Sequence, residues 1–321
     1  MNIFVTRRIP QPGIELLEKH HDVTVSKENR VLTKQEIIEY AKDADGLLCL
    51  LTDNIDREVI SSLSKVKMIA NYAVGYNNVD VSYATEKKIP VSNTPDVLTQ
   101  TTAELAWALI FAVSRRIAES DYFCREGNFN GWDPMLLLGQ DVTNKTLGII
   151  GAGRIGTAMA LKSKGFDMDV LYVNPHRNEL LEKEVHAKKT DLSDLLERAD
   201  IISLHIPLTD ETMHFISTNE LALMKETAIL INTSRGPIID EKALINALNT
   251  HSIFGAGLDV YENEPKIPEA LKKQKNVVLL PHIGSATKET RTKMAVMAAE
   301  NMNIGLNGER PPHCVNPELF D

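Results

Sequence analysis

The sequence predicts an α/β protein of two doubly wound parallel-sheet domains. Three observations carry this expectation. Short apolar runs alternate strictly with amphipathic ones through the first part of the chain. The alternation halts at a polar, glycine-bearing segment and restarts beyond it. The final stretch is too short to fold alone and must return to an earlier unit. Strand and helix in strict alternation give a parallel sheet covered on both faces.

In order, strands are expected at Asn2–Thr6, Asp22–Ser26, Gly46–Leu51, Met68–Tyr72 and Pro90–Thr94. Helical patterns lie between them at Pro12–His20, Thr33–Ala41, Asp56–Leu63 and Val79–Lys88. Thr101–Glu119 is apolar over most of its length and predicts one long, largely buried helix. The segment holding Gly127, Gly131, Pro134 and Gly139 follows. Alternation resumes with about six strands, near Thr146–Ile150, Asp169–Val173, Asp200–Ile206, Ala228–Thr233, Phe254–Val260 and Val277–Pro281. From Ala286 on, one helix, Lys288–Asn303, precedes a coil tail. These elements predict a discontinuous first domain, residues 1–99 and 286–321, with a second domain, residues 100–285, inserted in it.

The totals narrow the function classes. Net charge is −9 over 321 residues, which disfavours a broad nucleic-acid-binding surface. No apolar run is long enough to span a bilayer, and the start of the chain lacks a signal-peptide core. Three scattered cysteines, Cys49, Cys124 and Cys314, give neither a disulfide framework nor a metal cluster. A cytoplasmic setting is the expectation.

Gly151, Gly153 and Gly156 stand in G-x-G-x-x-G spacing, with an apolar strand before them and a helix after. The first glycine permits a tight turn, the second lets a pyrophosphate approach the backbone, and the third allows close helix–sheet packing. The second domain is therefore expected to be a Rossmann-type dinucleotide-binding unit. Asn174 lies 23 residues beyond Gly151, where such units usually keep an acid for the ribose hydroxyls. Asn does not repel a 2′-phosphate, and His176 and Arg177 are placed to contact one. NADP(H) is thus expected in preference to NAD(H), with NAD(H) still possible. The competing reading makes His176 and Arg177 solvated loop residues.

Three further stretches end strands of the same unit: "LINTSRGPIID" with Arg235, "GAGLDVYENEP" with Asp259 and Glu264, and "NVVLLPHIGSAT" with His282. Reduction of a 2-keto acid needs a cation for the carboxylate, a proton for the developing alkoxide and an acid to support the proton donor. Arg235, His282 and Glu264 suit those tasks. Each alone has a plainer explanation as a cap, a strand-end residue or a loop acid.

At this point the chain resembles the D-isomer-specific 2-hydroxyacid dehydrogenase family, and within it the glyoxylate/hydroxypyruvate reductases. "GAGRIG", "HIPLTDET", "INTSRGPIID", "AGLDVYENEP" and "PHIGSAT" occur in family order. The resemblance implies Arg235, Glu264 and His282 as active-site residues and Asp259 near the nicotinamide carboxamide. It implies cofactor contacts at Gly151, Gly153, Arg154, Ile155, Gly156, Pro207, Thr233 and Gly284. It places the substrate carboxylate on the backbone of Val74 and Gly75, beside Leu51, in a flavodoxin-like substrate domain. Substrate and cofactor are expected to meet between the domains. It further implies a homodimer through roughly Thr101–Gly139, with Trp132 either reaching the partner's substrate pocket or anchoring the interface. Asn174 departs from the Asp of NAD-using members. D-lactate and phosphoglycerate dehydrogenases remain alternatives, and so does a nucleotide-sensing corepressor-like binding protein. A formate dehydrogenase is disfavoured, because that enzyme pairs its His with Gln and not with an acid.

Overall fold

The computed structural model describes all residues, Met1–Asp321, as two compact units. One comprises Met1–Leu98 with Ser285–Asp321, the other Thr99–Gly284.

The first unit holds β1 (Asn2–Val5), β2 (Asp22–Val25), β3 (Gly46–Leu50), β4 (Met68–Tyr72) and β5 (Val91–Ser92), in the order β2-β1-β3-β4-β5 and all parallel. This is the flavodoxin-like order. Its helices are α1 (Gln11–Glu18), α2 (Lys34–Ala41), α3 (Arg57–Ser62) and α4 (Val81–Glu86). Three of their starts are fixed by side-chain caps, the Thr33–Glu36 capping box, Asp56 and Asp80, each worth about 1 kcal/mol.

The second unit begins with α5 (Thr99–Ser114) and α6 (Ile117–Arg125). Its strands are β6 (Thr146–Ile150), β7 (Asp169–Val173), β8 (Lys188–Lys189), β9 (Ile201–Leu204), β10 (Ile229–Asn232), β11 (Gly255–Leu258) and β12 (Val277–Leu279). They form one parallel sheet, β12-β11-β10-β9-β6-β7-β8, the Rossmann order with a seventh strand added. Helices α7 (Arg154–Leu161), α8 (Glu179–Glu184), α9 (Leu192–Arg198), α10 (Thr218–Leu223), α11 (Glu241–Asn249) and α12 (Glu269–Lys272) complete the unit. Apolar clusters cover both faces of each sheet.

The last helix, α13 (Lys288–Leu306), packs in the first unit against α1 and β4. Contact is close enough that a Cβ on Gly13 would lie 2.6 Å from the Ala295 carbonyl oxygen. Beyond it, buried Asn316 accepts the Val91 N–H at 2.8 Å and donates to the Ile89 carbonyl at 3.0 Å, which ties the tail to β5.

Three expectations need correction. The helix predicted over Thr101–Glu119 is two helices, broken at Arg116, whose φ is +51°. The chain returns at Gly139 and Gln140, and the Gln140 N–H takes the Ser114 carbonyl at 2.8 Å. That oxygen is thereby diverted from continuing the helix. The second half also has no buried residue, so no apolar face holds it in line. The sheet of about six strands has seven, because β8 is two exposed lysines on an edge and carries no apolar alternation. α13 runs past Asn303 to Leu306, whose side chain is buried against the sheet.

Candidate functional site

The glycine loop joins β6 to α7. Gly151 has φ +94°, and a Cβ there would lie 2.6 Å from the His205 carbonyl oxygen, so only glycine fits. At Gly156 a Cβ would sit 2.0 Å from the Gly151 oxygen, which lets α7 start directly on the strand end. Gly153 differs: its Cβ direction opens into empty space. Gly153 is the N-cap of α7, and no side chain caps it, so the helix start is left open to an anion. Arg154 and Ile155 form the first turn, with Arg154 exposed and Ile155 half-buried.

Asn174 follows β7 and faces this loop. Its Oδ1 accepts the Ala152 N–H at 3.1 Å, and its Nδ2 donates to the His176 carbonyl at 2.9 Å. Asn178 fastens the other side, donating to the Ala152 carbonyl at 2.9 Å and to Thr157 Oγ1 at 2.7 Å. The His176 side chain is exposed. Arg177 turns away to Glu182, with Nε 3.1 Å from Oε1 and Nη2 paired to Oε2. Its side chain remains 74% exposed.

On the neighbouring strand ends, Thr233 is buried and its Oγ1 has no hydrogen-bond partner. Pro207 is exposed after β9, and its carbonyl accepts Thr212 Oγ1 at 2.7 Å. The open face at Gly153 and the orphaned Thr233 hydroxyl are features that a dinucleotide would fill and satisfy. The residues present therefore fit a nicotinamide cofactor.

The acid and the imidazole meet. His282 Nδ1 lies 2.9 Å from Glu264 Oε2, while Glu264 Oε1 accepts the Tyr261 N–H at 3.1 Å. Burial pushes the Glu264 carboxyl up. The His282 hydrogen bond and charge, the Tyr261 amide and Arg235 outweigh that and leave it below its ordinary range. Arg235 donates from Nη1 to the Ser234 carbonyl at 2.7 Å, and Asn232 Nδ2 holds the Arg235 carbonyl at 2.9 Å. Burial lowers the Arg235 pKa, and the charge of Glu264 opposes it.

Asp259 has a task that the sequence did not disclose. Fully buried, its carboxylate accepts the N–H groups of Ile283 and Gly284, both at 2.7 Å. It fixes the backbone just after His282, whose own φ is +55°. Burial pushes its carboxyl up, and the two amides work against that. The Gly284 carbonyl in turn accepts Thr102 Oγ1 at 3.0 Å. Tyr261 was also missed; its hydroxyl donates to the Leu280 carbonyl at 2.8 Å, two residues before His282.

In the first unit, Asn78 links the loop after β3, which carries Leu51, to the loop after β4, which carries Val74 and Gly75. Its Nδ2 donates to the Leu50 and Asp53 carbonyls, both at 3.1 Å. The Val74 carbonyl accepts Asn93 Nδ2 at 2.7 Å, and that of Gly75 accepts Asn71 Nδ2 at 2.9 Å. With their carbonyls tied inward, the N–H groups of Val74 and Gly75 have no acceptor within the unit. Trp132 lies in the irregular segment after α6 and is 84% exposed.

Sheet order and glycine loop thus define a dinucleotide-binding unit, with a His–Glu pair and an arginine on adjoining strand ends. The chain belongs to the D-isomer specific 2-hydroxyacid dehydrogenase family: residues 107–284 match the model of that family's NAD binding domain. It is an oxidoreductase of the 2-hydroxyacid dehydrogenase class that uses a nicotinamide cofactor. It is 50% identical to a glyoxylate reductase of Korarchaeum cryptofilum, over 99% of this chain and 96% of that one. A solved protein of Thermus thermophilus superposes with TM-score 0.93 at 41% identity, covering 98% of this chain and 100% of the other. The NADPH-dependent glyoxylate/hydroxypyruvate reductase of Sinorhizobium meliloti gives TM-score 0.86 at 28% identity, with 98% of each chain covered. No helix is long and apolar enough to cross a membrane.

Proposed function

We propose that this protein reduces small 2-keto acids, glyoxylate to glycolate and hydroxypyruvate to D-glycerate, with His282 as the proton donor. The observation that carries the reading is the 2.9 Å bond between His282 Nδ1 and Glu264 Oε2, on a loop edge shared with Arg235. When bound, a reduced nicotinamide supplies the hydride. Arg235 holds the substrate carboxylate and draws charge toward the keto oxygen. His282 gives that oxygen a proton from Nε2, because Nδ1 is committed to Glu264. Glu264 remains a carboxylate at neutral pH and stabilises the imidazolium. Asp259 keeps the histidine's backbone in place. The free N–H groups of Val74 and Gly75 bind the carboxylate as well, and Leu51 limits substrate size.

NADP(H) is the preferred cofactor in this reading, with NAD(H) accepted. Asn174 carries no charge to repel a 2′-phosphate, and Arg177 is exposed enough to swing from Glu182 toward one. Gly151, Gly153, Arg154, Ile155, Gly156, Pro207, Thr233 and Gly284 complete the cofactor cradle. The pairing of Arg177 with Glu182 favours a second reading, in which Arg177 only braces the loop and either cofactor serves.

Phe129, Trp132, Met135 and Leu138 are 58%, 84%, 73% and 53% exposed along one short segment. An apolar strip of this kind marks an interface. A homodimer through α5, α6 and this segment would cover it, with Trp132 an interface anchor or a contact to the partner's substrate.

Initial rates of glyoxylate and hydroxypyruvate reduction, with NADPH and NADH side by side at neutral pH, test the proposal. Faster turnover with NADPH is expected, from a protein that sediments as a dimer. Equal use of NADH would leave Arg177 as a partner of Glu182 alone. No turnover of either acid would overturn the substrate assignment, and cofactor binding without any turnover would point to a sensing role.

A further inference from the structure

Glu241 is a buried carboxylate, 6% exposed, that the proposed mechanism does not use. It is the first residue of α11, yet the helix start does not need it. Asp240 already accepts the Lys242 and Ala243 amides at 3.0 and 3.1 Å. Glu241 turns instead to the loop after β11. Its Oε1 accepts the Glu262 N–H at 2.8 Å, and Glu262 Oε2 returns toward the Glu241 N–H at 3.4 Å. Glu262 Oε1 meets His214 Nε2 at 3.0 Å. Burial pushes the Glu241 carboxyl up; the Glu262 amide pulls it down, and the charges of Glu262 and Glu264 push it up again. The helix dipole favours an acid in the first turn, but burial beside other acids works against its charge, and here its oxygen serves as an acceptor for a neighbouring loop.

Three strand-end loops join at this point. His214 N–H donates to the Pro237 carbonyl at 2.8 Å, Ile216 N–H to Ile238 at 3.0 Å, and Asp240 N–H to Ile216 at 2.9 Å. The Arg235–Gly236 backbone presses on the third loop, so that a Cβ on Gly236 would lie 1.8 Å from the Tyr261 carbonyl carbon. The peptide between Tyr261 and Glu262 is therefore clamped, by Gly236 at its carbonyl carbon and by Glu241 at its N–H. The N–H of Tyr261, in the peptide just before it, holds Glu264 Oε1. Freeing the Glu262 amide would loosen the Tyr261 backbone on one side, and with it the carboxylate that orients His282.

We infer that Glu241 is a positioning residue for the Glu264–His282 pair, acting through the Glu262 amide. The inference rests on the reading of that pair given above. Besides Glu241 and Glu262, the charged and titratable groups around the pair are Arg235, Asp259 and Tyr261, with His214 on the outer side of Glu262.

The test uses full-length Glu241→Ala and Glu241→Gln proteins. The His282 imidazole is titrated by NMR without substrate or cofactor, and kcat and KM are measured in parallel. In Glu241→Ala the His282 titration should move down, by up to about one pH unit, because a loosened Glu264 supports the imidazolium less. Its kcat should fall about ten- to a hundred-fold, as small misplacements do, with KM little changed. Glu241→Gln should restore both, because its carbonyl oxygen still accepts the Glu262 N–H. An alanine variant that melts like the parent and keeps its His282 titration and kcat would overturn the inference, and so would a glutamine variant as impaired as alanine. If Glu241→Ala does not fold, Glu241→Leu, which fills the same space without an acceptor for the Glu262 N–H, takes its place. It should shift the His282 titration in the same direction, and an unmoved titration in the folded variant would overturn the inference. Because the titration needs no substrate, a failure to reduce 2-keto acids would sink the functional reading while the positioning role is still judged.

Discussion

Replacing His282 with alanine is expected to lower kcat by about 10²–10⁴-fold, the usual contribution of a positioned general acid. Substrate and cofactor affinities should change little. The ring lies 2.9 Å from Glu264 and is partly exposed, outside the apolar clusters that cover the sheets. The backbone that carries it is held independently, through Asp259 to the amides of Ile283 and Gly284. Loss of turnover with retained binding, measured by steady-state rates and by fluorescence titration of the reduced cofactor, would isolate the proton step. An alanine variant that turns over like the parent would remove His282 from the mechanism.

Arg235→Ala should act differently. In the proposed mechanism a half-buried guanidinium pairs with the substrate carboxylate, worth about 2–5 kcal/mol, or roughly one and a half to three and a half orders of magnitude in kcat/KM. The loss should fall chiefly on KM for the keto acid, while cofactor affinity holds. Arg235→Lys should recover little, since an ammonium cannot reproduce the two-pronged donor set. Burial lowers the Arg235 pKa and Glu264 raises it, so the two side chains feel each other. Removing the arginine also lets the Glu264 carboxyl rise, which adds a smaller effect at low pH. An alanine variant with an unchanged KM would contradict the assignment of Arg235 to the substrate.

The fold was legible in the sequence because its signal is local. Alternating apolar runs gave eleven of the strands, and the glycine spacing marked the turn at Gly151. What escaped was either short and exposed, like Lys188–Lys189, or set by a contact far along the chain. Nothing within Thr101–Glu119 says that Gln140 will take the Ser114 carbonyl. The candidate site divides the same way. Glu264 and His282 could be named from their stretches, and the structure brings them into contact. The supports could not be named: Asp259 on the Ile283 and Gly284 amides, Asn71 and Asn93 on the Val74–Gly75 loop, and Glu241 on Glu262. All but the local bond from Asn71 to Gly75 join segments whose proximity only the folded sheets create. Arg177 shows the converse, because a sequence that places it near Asn174 does not reveal that Glu182, one turn into the next helix, competes for it.

The pH dependence of kcat for the parent and Glu264→Gln tests most directly the central claim, that Glu264 and His282 form the proton-donating pair. Glu264 sits below its ordinary pKa, so at neutral pH it is charged and favours the protonated imidazole. In the proposed mechanism reduction draws on that proton, so activity falls on the alkaline side. Neutral glutamine cannot support the imidazolium, and its alkaline limb should lie about one pH unit or more toward acid. Superimposable profiles would contradict the pair.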